Sequence, residues 1–185
     1  MSPATRLKYL YLAYFSAPKA DRQLYRALSR GKIRKIVEMG MAEGRRSLRL
    51  IEVAQRFSAG EPIQFTGIDL FEGRPASEPG LSLKSAYKTF RQAGAKSRLL
   101  PGTPYDALHQ FSNVLLGTDL LLIGADQDPA SLAAAWFYVP RMLHAESLVL
   151  QEVVAGEKTQ WQPISRLEVE RLAAHCTLQR RRRAA

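Results

Sequence analysis

The sequence is poor in cysteine, with Cys176 the only one in 185 residues. A single cysteine excludes an intramolecular disulfide and any metal cluster built from cysteines. Long apolar runs are also missing, since none approaches the ~20 residues that a helix needs to cross a bilayer. The short apolar stretch 10–15 is better interpreted as part of an amphipathic opening helix than as a signal peptide. We therefore expect a cytoplasmic protein that does not associate with membranes.

Acidic residues are scarce at both ends of the sequence. The net charge of the chain is +10, of which residues 1–36 carry +8 and the four arginines at 180–183 carry +4, whereas residues 37–179 carry −2. Basic ends of this kind can dock to RNA or to an acidic partner through long-range attraction. Solvated termini are the simpler interpretation of the same pattern.

Apolar segments of strand length alternate with segments of helical periodicity, which predicts an α/β fold with a mostly parallel sheet. The predicted strands are 33–39, 63–68, 98–100, 119–123 and 148–153. The predicted helices are 5–16, 19–30 (ended by Gly31), 48–57, 82–93, 105–111, 129–143 and 165–175. We divide the chain into a basic N-terminal helical segment (1–32), one domain (33–179) and a basic tail (180–185).

Glycines follow the first predicted strand, and a carboxylate ends each of the first two strands. Residues 35–44 have the sequence Lys-Ile-Val-Glu-Met-Gly-Met-Ala-Glu-Gly, and the second strand is followed by Asp69. Glycines allow the backbone to approach a ligand closely, and an acid at the tip of the second strand can accept hydrogen bonds from a ribose diol. The pattern predicts a pocket for a nucleoside-containing cofactor.

The spacing of the glycines restricts which nucleoside-containing cofactor the pocket can bind. A P-loop requires a lysine after its glycines, and here Arg45 and Arg46 follow Gly44. A dinucleotide fingerprint has the form G-x-G-x-x-G, whereas this segment has G-x-x-x-G, with Glu43 where it would repel a diphosphate. An NAD-linked oxidoreductase is therefore disfavoured. S-adenosylmethionine, which carries a sulfonium and no phosphate, is compatible with Glu43.

Residues 37–44, followed by Ser47, resemble motif I of the class I S-adenosylmethionine-dependent methyltransferases, in the E-x-G-x-x-x-G-x-S form of small-molecule O-methyltransferases. Residues 68–69 resemble the second motif of that family, and residues 100–108 and 121–128 are similar to its segments after strands three and four. The resemblance spans about residues 33–153. It implies a Rossmann-like three-layer sandwich that is shortened at its C-terminal end, where residues 154–185 supply one helix and one edge strand at 177–180.

The resemblance also implies roles for individual residues. Glu38 and the Gly40 backbone would lie under the methionine part of S-adenosylmethionine, and Asp69 would hold the ribose hydroxyls. Asp126 would lie where the methyl acceptor sits and could take its proton as the catalytic base. The remaining implied cofactor-binding residues are Gly44, which admits the following helix closely, Leu70 on the adenine face, and Gly102 and Thr103 at the adenine edge.

The ligand set of the metal-dependent relatives is not intact. They place a carboxylate at the first position of the motif after strand four, where this sequence has Gly124. Asp126, Asp128 and Glu152 could still form an oxygen site, but we predict no metal ligand. The Asp128-Pro129 pair also lacks the aromatic residue of the motif that amino-methylating relatives use.

We therefore predict a methyltransferase that binds S-adenosylmethionine and acts on an unknown acceptor, for which a small molecule is favoured. The alternative is a degenerate cofactor-binding or scaffolding module whose basic ends dock to RNA or to an acidic partner. Closure of the acceptor side of the pocket would come from the N-terminal helices or from a second subunit in a homodimer.

Overall fold

The computed structural model describes residues 3–30, 33–58, 60–75, 77, 80–156 and 158–184, with side chains described only within 7–178. Gly31, predicted to end the second helix, and the side chains of the basic tail at 180–185 lie outside this part of the chain.

A six-stranded sheet forms the centre of the fold, with the strand order β3-β2-β1-β4-β5-β6. The first five strands are parallel, and β6 pairs with β5 in the antiparallel direction. The strands are β1 (Lys35–Met39), β2 (Gln64–Asp69), β3 (Lys96–Pro101), β4 (Thr118–Ile123), β5 (Leu143–Ala155) and β6 (Lys158–Pro163). This topology confirms the predicted α/β fold with a mostly parallel sheet.

Helices cover both faces of the sheet. They are α1 (Pro3–Tyr14), α2 (Arg22–Leu28), α3 (Arg45–Phe57), α4 (Leu83–Gln92), α5 (Pro104–Phe111), α6 (Pro129–Ala135), α7 (Val139–Met142) and α8 (Arg166–Ala184). Buried residues of α1–α4 form one apolar cluster with one face of the sheet. Buried residues of α5–α8 form a second cluster with the opposite face. The result is the three-layer sandwich that the sequence predicts.

Two predictions for the C-terminal half are wrong. The strand expected at 177–180 lies within α8, and the edge strand is instead β6, formed by residues 158–163. β5 runs for 13 residues, two beyond its predicted end, and Gly156 then turns the chain back at a φ of +61°, which glycine adopts without strain. The single helix expected at 129–143 is divided into α6 and α7, with Pro140 in the first turn of α7, where its missing N–H costs no hydrogen bond.

The opening helix is less amphipathic than expected. Leu12 and Ala13 are buried against the core, whereas Leu7, Leu10 and Tyr11 are largely exposed to solvent. No described helix combines the length and the apolar character that crossing a bilayer demands.

A buried polar contact joins the N-terminal segment to the end of the sheet. Asp21, in the 3₁₀ turn Lys19–Asp21, is 2% exposed, and its carboxylate accepts a hydrogen bond from the Trp161 indole at 3.2 Å. Burial raises the pKa of Asp21, while Arg46 and the Trp161 hydrogen bond oppose that rise. The N-terminal helices are therefore held against β6.

We expect Trp161→Phe to lower the free energy of unfolding by about 1–3 kcal/mol, because the buried Asp21 carboxylate loses its indole donor. Urea denaturation measures this cost. In an Asp21→Ala background no carboxylate is left without its donor, so the same substitution should cost about 1 kcal/mol less. Equal costs in the two backgrounds would contradict a role for the hydrogen bond.

Candidate functional site

The loops after four parallel strands meet at one edge of the sheet. The Gly40 N–H donates to the Ile68 carbonyl at 2.9 Å, and the Gly102 N–H donates to the Asp69 carbonyl at 2.9 Å. On the other side of β1, the Gly124 N–H donates to the Met39 carbonyl at 2.8 Å. In open α/β sheets this edge, outside the carboxyl ends of the strands, forms the ligand crevice. The predicted residues that follow these strands are thus brought together.

The loop between β1 and α3 depends on its two glycines. Gly40 has a φ of +82° and Gly44 a φ of +73°, a region that favours glycine. A Cβ on Gly40 would collide with the side chains of Asp126 and Gln127, which lie directly over it. A Cβ on Gly44 would lie 2.9 Å from Leu81 Cδ2, so this glycine allows α3 to begin close to α4. Only Gly40 faces the crevice.

Asp69 ends β2 with a carboxylate that is almost fully buried and fully engaged. One oxygen accepts from the Met41 N–H at 2.7 Å and from Arg74 Nη2 at 2.9 Å. The other accepts from the Phe71 N–H at 3.2 Å and from Arg74 Nε at 2.8 Å. Burial alone would raise the pKa of Asp69, but the hydrogen bonds from Arg74 and then from the two backbone N–H groups lower it below 3.8. Asp69 is therefore ionised at neutral pH.

Arg74 covers the position that the ribose was expected to take. Its guanidinium binds Asp69 through two nitrogens and also binds Asp126 Oδ2 at 2.8 Å, which joins the loops after β2 and β4. The cavity beside this contact, lined by Asp69, Leu70, Gly102, Thr103 and Asp126 among others, has a volume of about 50 Å³. Pockets for small molecules have volumes of about 300–1,000 Å³. The side of the crevice where the nucleoside was expected is thus closed by Arg74.

A wider cleft lies on the other side of Arg74. Its volume is about 430 Å³. It is lined by residues of the loops after β1, β2 and β4, of the first turn of α3 and of β5: Gly40, Ala42, Arg46, Arg74, Ala125, Asp126, Glu152 and Val154. This cleft corresponds to the side on which the methionine part of a cofactor was expected. It is open to solvent while the nucleoside side is closed.

Below this cleft, a buried ion-pair cluster surrounds Arg46. Arg46 Nε donates to Glu38 Oε1 at 2.7 Å, Nη2 donates to the Gly40 carbonyl at 2.8 Å, and Nη1 lies 3.3 Å from Glu152 Oε2. The guanidinium also stacks on the Trp161 ring, 4.9 Å from its centroid. Glu38 is fully buried, and this burial raises its pKa, while Arg46 and Ser47 oppose the rise.

Known structures share this architecture. The O-methyltransferase TomG from Streptomyces achromogenes, in complex with SAM, is 14% identical with a TM-score of 0.54, over 95% of this chain and 78% of that one. The TDP-rhamnose 3'-O-methyltransferase CalS11 of calicheamicin biosynthesis is 18% identical with a TM-score of 0.57, over 83% and 80% of the two chains. An O-methyltransferase from Bacillus cereus in complex with SAH is 16% identical with a TM-score of 0.52, over 82% and 67%.

The chain has the class I methyltransferase fold. No protein-family model matches its sequence, and no curated protein does.

Within this methyltransferase fold, the remaining predicted residues occupy the rim of the crevice. Leu70 is 39% exposed beside the small cavity. Gly102 has a φ of +128°, which only glycine adopts readily, and turns the chain from β3 into α5. The Thr103 hydroxyl caps α5, since it accepts from the Asp106 N–H and donates to the Asp106 carboxylate. The polar atom of Thr103 is therefore already used by the helix.

The two carboxylates that follow β4, those of Asp126 and Asp128, have different hydrogen-bond partners. Asp126 binds Arg74 and also accepts from the Gln127 amide at 2.7 Å, while Asp128 caps α6 by accepting from the Ser131 N–H at 2.6 Å. Within the part of the chain that the structure describes, no group of three or more histidine, cysteine, aspartate or glutamate side chains is arranged to hold a metal.

The two arginines of the crevice were missed by the sequence analysis. Arg46 was considered only as a mismatch to a P-loop, and Arg74 was given no role. A signal was present for Arg46, because the strand-end carboxylate Glu38 requires a cation when it is buried. For Arg74 the sequence offers only its position five residues after Asp69, so its contact with Asp126 could not be foreseen.

We expect Arg46→Met to lower the free energy of unfolding by about 3 kcal/mol at pH 7, because it leaves the buried Glu38 carboxylate without its cation. The cost should be smaller at about pH 5, where Glu38 can take up a proton. Urea denaturation at both pH values measures it. The adjacent Arg45 is exposed, so Arg45→Met is a matched control that should change stability little.

The Glu38→Gln/Arg46→Met double variant should recover much of the lost stability, because no buried charge remains. A double variant that is less stable than Arg46→Met would contradict the proposed pairing.

The lowered pKa of Asp69 predicts a pH dependence of stability. Its folded pKa lies below the unfolded value of 3.8, so its contribution is present above about pH 4 and is lost as the pH falls through the folded value. The unfolding free energy of the wild type should therefore fall more steeply between about pH 4 and pH 2 than that of Asp69→Asn. The exposed Glu146 provides a control, since Glu146→Gln should keep the wild-type slope. Parallel curves for the wild type and Asp69→Asn would refute this assignment.

Proposed function

We propose that the chain is an S-adenosylmethionine-dependent methyltransferase. The observation that carries this proposal is the convergence of Gly40, Asp69, Gly102 and Asp126 at the carboxyl ends of β1 to β4, on a fold shared with methyltransferases crystallised with SAM or SAH. A carboxylate at the end of β2 and a glycine turn at the end of β1 are the features that a ribose and a closely approaching ligand require.

The residues of the crevice fit S-adenosylmethionine once Arg74 moves. Asp69 keeps two backbone donors, Met41 and Phe71, so its carboxylate stays in place when the guanidinium leaves. The ribose hydroxyls would then replace Arg74 as hydrogen-bond donors to Asp69. Gly40 would approach the methionine part of the cofactor, with Glu38 and Arg46 beneath it. Arg74 therefore competes with the cofactor for Asp69.

When bound, S-adenosylmethionine supplies a methyl group on a sulfonium that a nucleophile can attack directly. The protein's contribution is then chiefly to align the acceptor with that methyl group. Asp126 lies between the two cavities of the crevice and would accept the acceptor's proton. Arg74 and Gln127 hold its two oxygens in the closed arrangement, so the movement of Arg74 also frees the proposed base.

A small-molecule acceptor is favoured by the similarity to two structural neighbours. One is an O-methyltransferase involved in tomaymycin synthesis, and the other is a TDP-rhamnose 3'-O-methyltransferase of calicheamicin biosynthesis. The open cleft of about 430 Å³ has the size of a small-molecule pocket, and under this proposal it also holds the methionine part of the cofactor. The chemical identity of the acceptor is a matter for an acceptor screen after cofactor binding has been measured.

Calorimetric titration with S-adenosylmethionine and S-adenosylhomocysteine tests the proposal. We expect micromolar binding to the wild type and a loss of about tenfold or more in Asp69→Asn, equivalent to about 1.4 kcal/mol. Arg74→Ala should bind about tenfold more tightly than the wild type, because Asp69 no longer has to exchange a guanidinium for the ribose. Glu43 in the glycine loop and Arg45 at the start of α3 are exposed and provide charge-matched controls, and Glu43→Gln and Arg45→Ala should bind as the wild type does.

Asp69→Asn and Arg74→Ala are expected to change cofactor affinity in opposite directions. Misfolding would instead weaken binding in both variants, so the two explanations can be separated. Thermal melting of each variant checks that it is folded. If neither the wild type nor Arg74→Ala binds either ligand, the methyltransferase proposal is overturned.

A further inference from the structure

The charge of the central part of the chain is unevenly distributed. Although residues 37–179 carry a net charge of −2, the stretch from 79 to 105 contains five basic residues and no acidic one. Three of them lie on α4 and two on β3: Lys84, Lys88, Arg91, Lys96 and Arg98. β3 is an edge strand of the sheet. One edge of the domain is therefore strongly basic.

The amino-terminal half of this edge has an uncovered sheet face. Along β3, Lys96, Arg98 and Leu100 point to the same side, and Lys96 and Arg98 are exposed whereas Leu100 is 4% exposed. On β2, Gln64 is exposed whereas Thr66 and Ile68 are buried on the same side. The α5–α8 layer thus leaves Gln64, Lys96 and Arg98 open to solvent.

A basic pocket of about 390 Å³ extends around the free edge of β3, because its lining combines residues of this uncovered face with Tyr87 and Arg91 of α4, which packs on the opposite face. Its cations are Lys35 from β1, Lys96 and Arg98 from β3, and Arg91 from α4. Strand pairing places Lys35, Gln64 and Lys96 in one row and Thr66 beside Arg98 in the next. Neighbouring strands lie about 4.8 Å apart, so the positive charge extends over about 10 Å across the sheet.

The described part of the chain does not neutralise the charges of this pocket. Arg91, Lys96 and Arg98 form no ion pair with a carboxylate of the described residues, and Lys35 Nζ donates to the backbone carbonyls of Val114 and Leu116. None of the described residues that line the pocket is acidic. The arginines of the crevice are, in contrast, each paired with two carboxylates. A concave surface with several unpaired cations is complementary to a ligand with several phosphate groups.

An aromatic ring stands at the rim of the same pocket. Tyr87 on α4 lines it and is 52% exposed. Grooves that bind single-stranded nucleic acids combine cations along the backbone with aromatic side chains on which bases stack. Phosphate groups alone would not account for an exposed aromatic residue in this position.

We propose that this pocket, formed by Lys35, Arg91, Lys96 and Arg98 with Tyr87 at its rim, binds single-stranded nucleic acid. The cations contact phosphate groups, and Tyr87 stacks on a base. The pocket lies at the amino ends of β1, β2 and β3, about 13 Å or more along the strands from the crevice at their carboxyl ends. It is thus a docking surface separate from the proposed methyl-transfer site, and the proposal does not depend on that activity.

Fluorescence anisotropy with a labelled uridine oligoribonucleotide of about 15 nucleotides tests this proposal on the full chain. The pocket variant is Arg91→Gln/Lys96→Gln/Arg98→Gln. Lys19→Gln/Arg26→Gln/Lys158→Gln is a matched control, because it removes the same charge from exposed positions elsewhere. Thermal melting checks the fold of both variants.

We expect the pocket variant to bind about tenfold or more weakly than the wild type, and the control variant to remain within about twofold. The slope of log affinity against log salt concentration should decrease by about 2 in the pocket variant, since each single-strand phosphate contact contributes about 0.7. Tyr87→Ala should weaken binding about fivefold or more, while Tyr87→Phe, which keeps the ring, should bind as the wild type does.

Equal losses in the pocket and control variants would overturn the proposal, because binding would then reflect only the total charge of the chain. Binding of pyrophosphate without binding of the oligonucleotide would also overturn it, since the pocket would then be a site for small phosphates.

Discussion

The burial of the Glu38 carboxylate at the tip of the central strand is the constraint on which this end of the molecule depends. A carboxylate with no exposed surface is costly unless a cation and hydrogen bonds compensate it. Arg46 from the first turn of α3 provides the cation and one hydrogen bond, to Oε1, while Oε2 of Glu38 has no hydrogen-bond partner among the described residues. Arg46 in turn requires an environment that stabilises a half-buried guanidinium, and β5 and β6 supply it through Glu152 and the Trp161 ring. Trp161 then donates to Asp21 and holds the N-terminal segment. One buried acid thus links the glycine loop, the antiparallel hairpin and the N-terminal helices.

A buried carboxylate is also compensated by an arginine at the end of the neighbouring strand β2, but with a different consequence. Asp69 is compensated by Arg74, but this arginine comes from a loop and not from a helix that packs in the core. Two backbone N–H groups also stabilise the Asp69 carboxylate, so it does not depend on the guanidinium alone. The Glu38 cluster is therefore part of the folded core, whereas under the proposed function the ribose hydroxyls would replace Arg74 at Asp69. This difference would allow one end of the sheet to be stable and also to bind a ligand.

The sequence predicted the sheet and the location of the crevice well, because both follow from local patterns. The alternation of apolar strands and helical segments gave five of the six strands. What could not be predicted depends on contacts distant in sequence. β6 is a polar edge strand, and only pairing with an unusually long β5 gives it a place in the sheet. The reach of Arg74 to Asp126 depends on the relative position of two loops 52 residues apart.

The distribution of charge across the sheet also follows from the topology. At the carboxyl ends of the strands, Arg46 and Arg74 are each paired with two carboxylates, so acidic charge is in excess there. At the amino ends of β1 and β3, the basic residues that line the pocket form no ion pair with a carboxylate of the described residues, so their charges repel one another. Such an arrangement stabilises nothing in the folded chain, because like charges held close together oppose the compact state. An anionic ligand is the component that would turn this repulsion into binding energy.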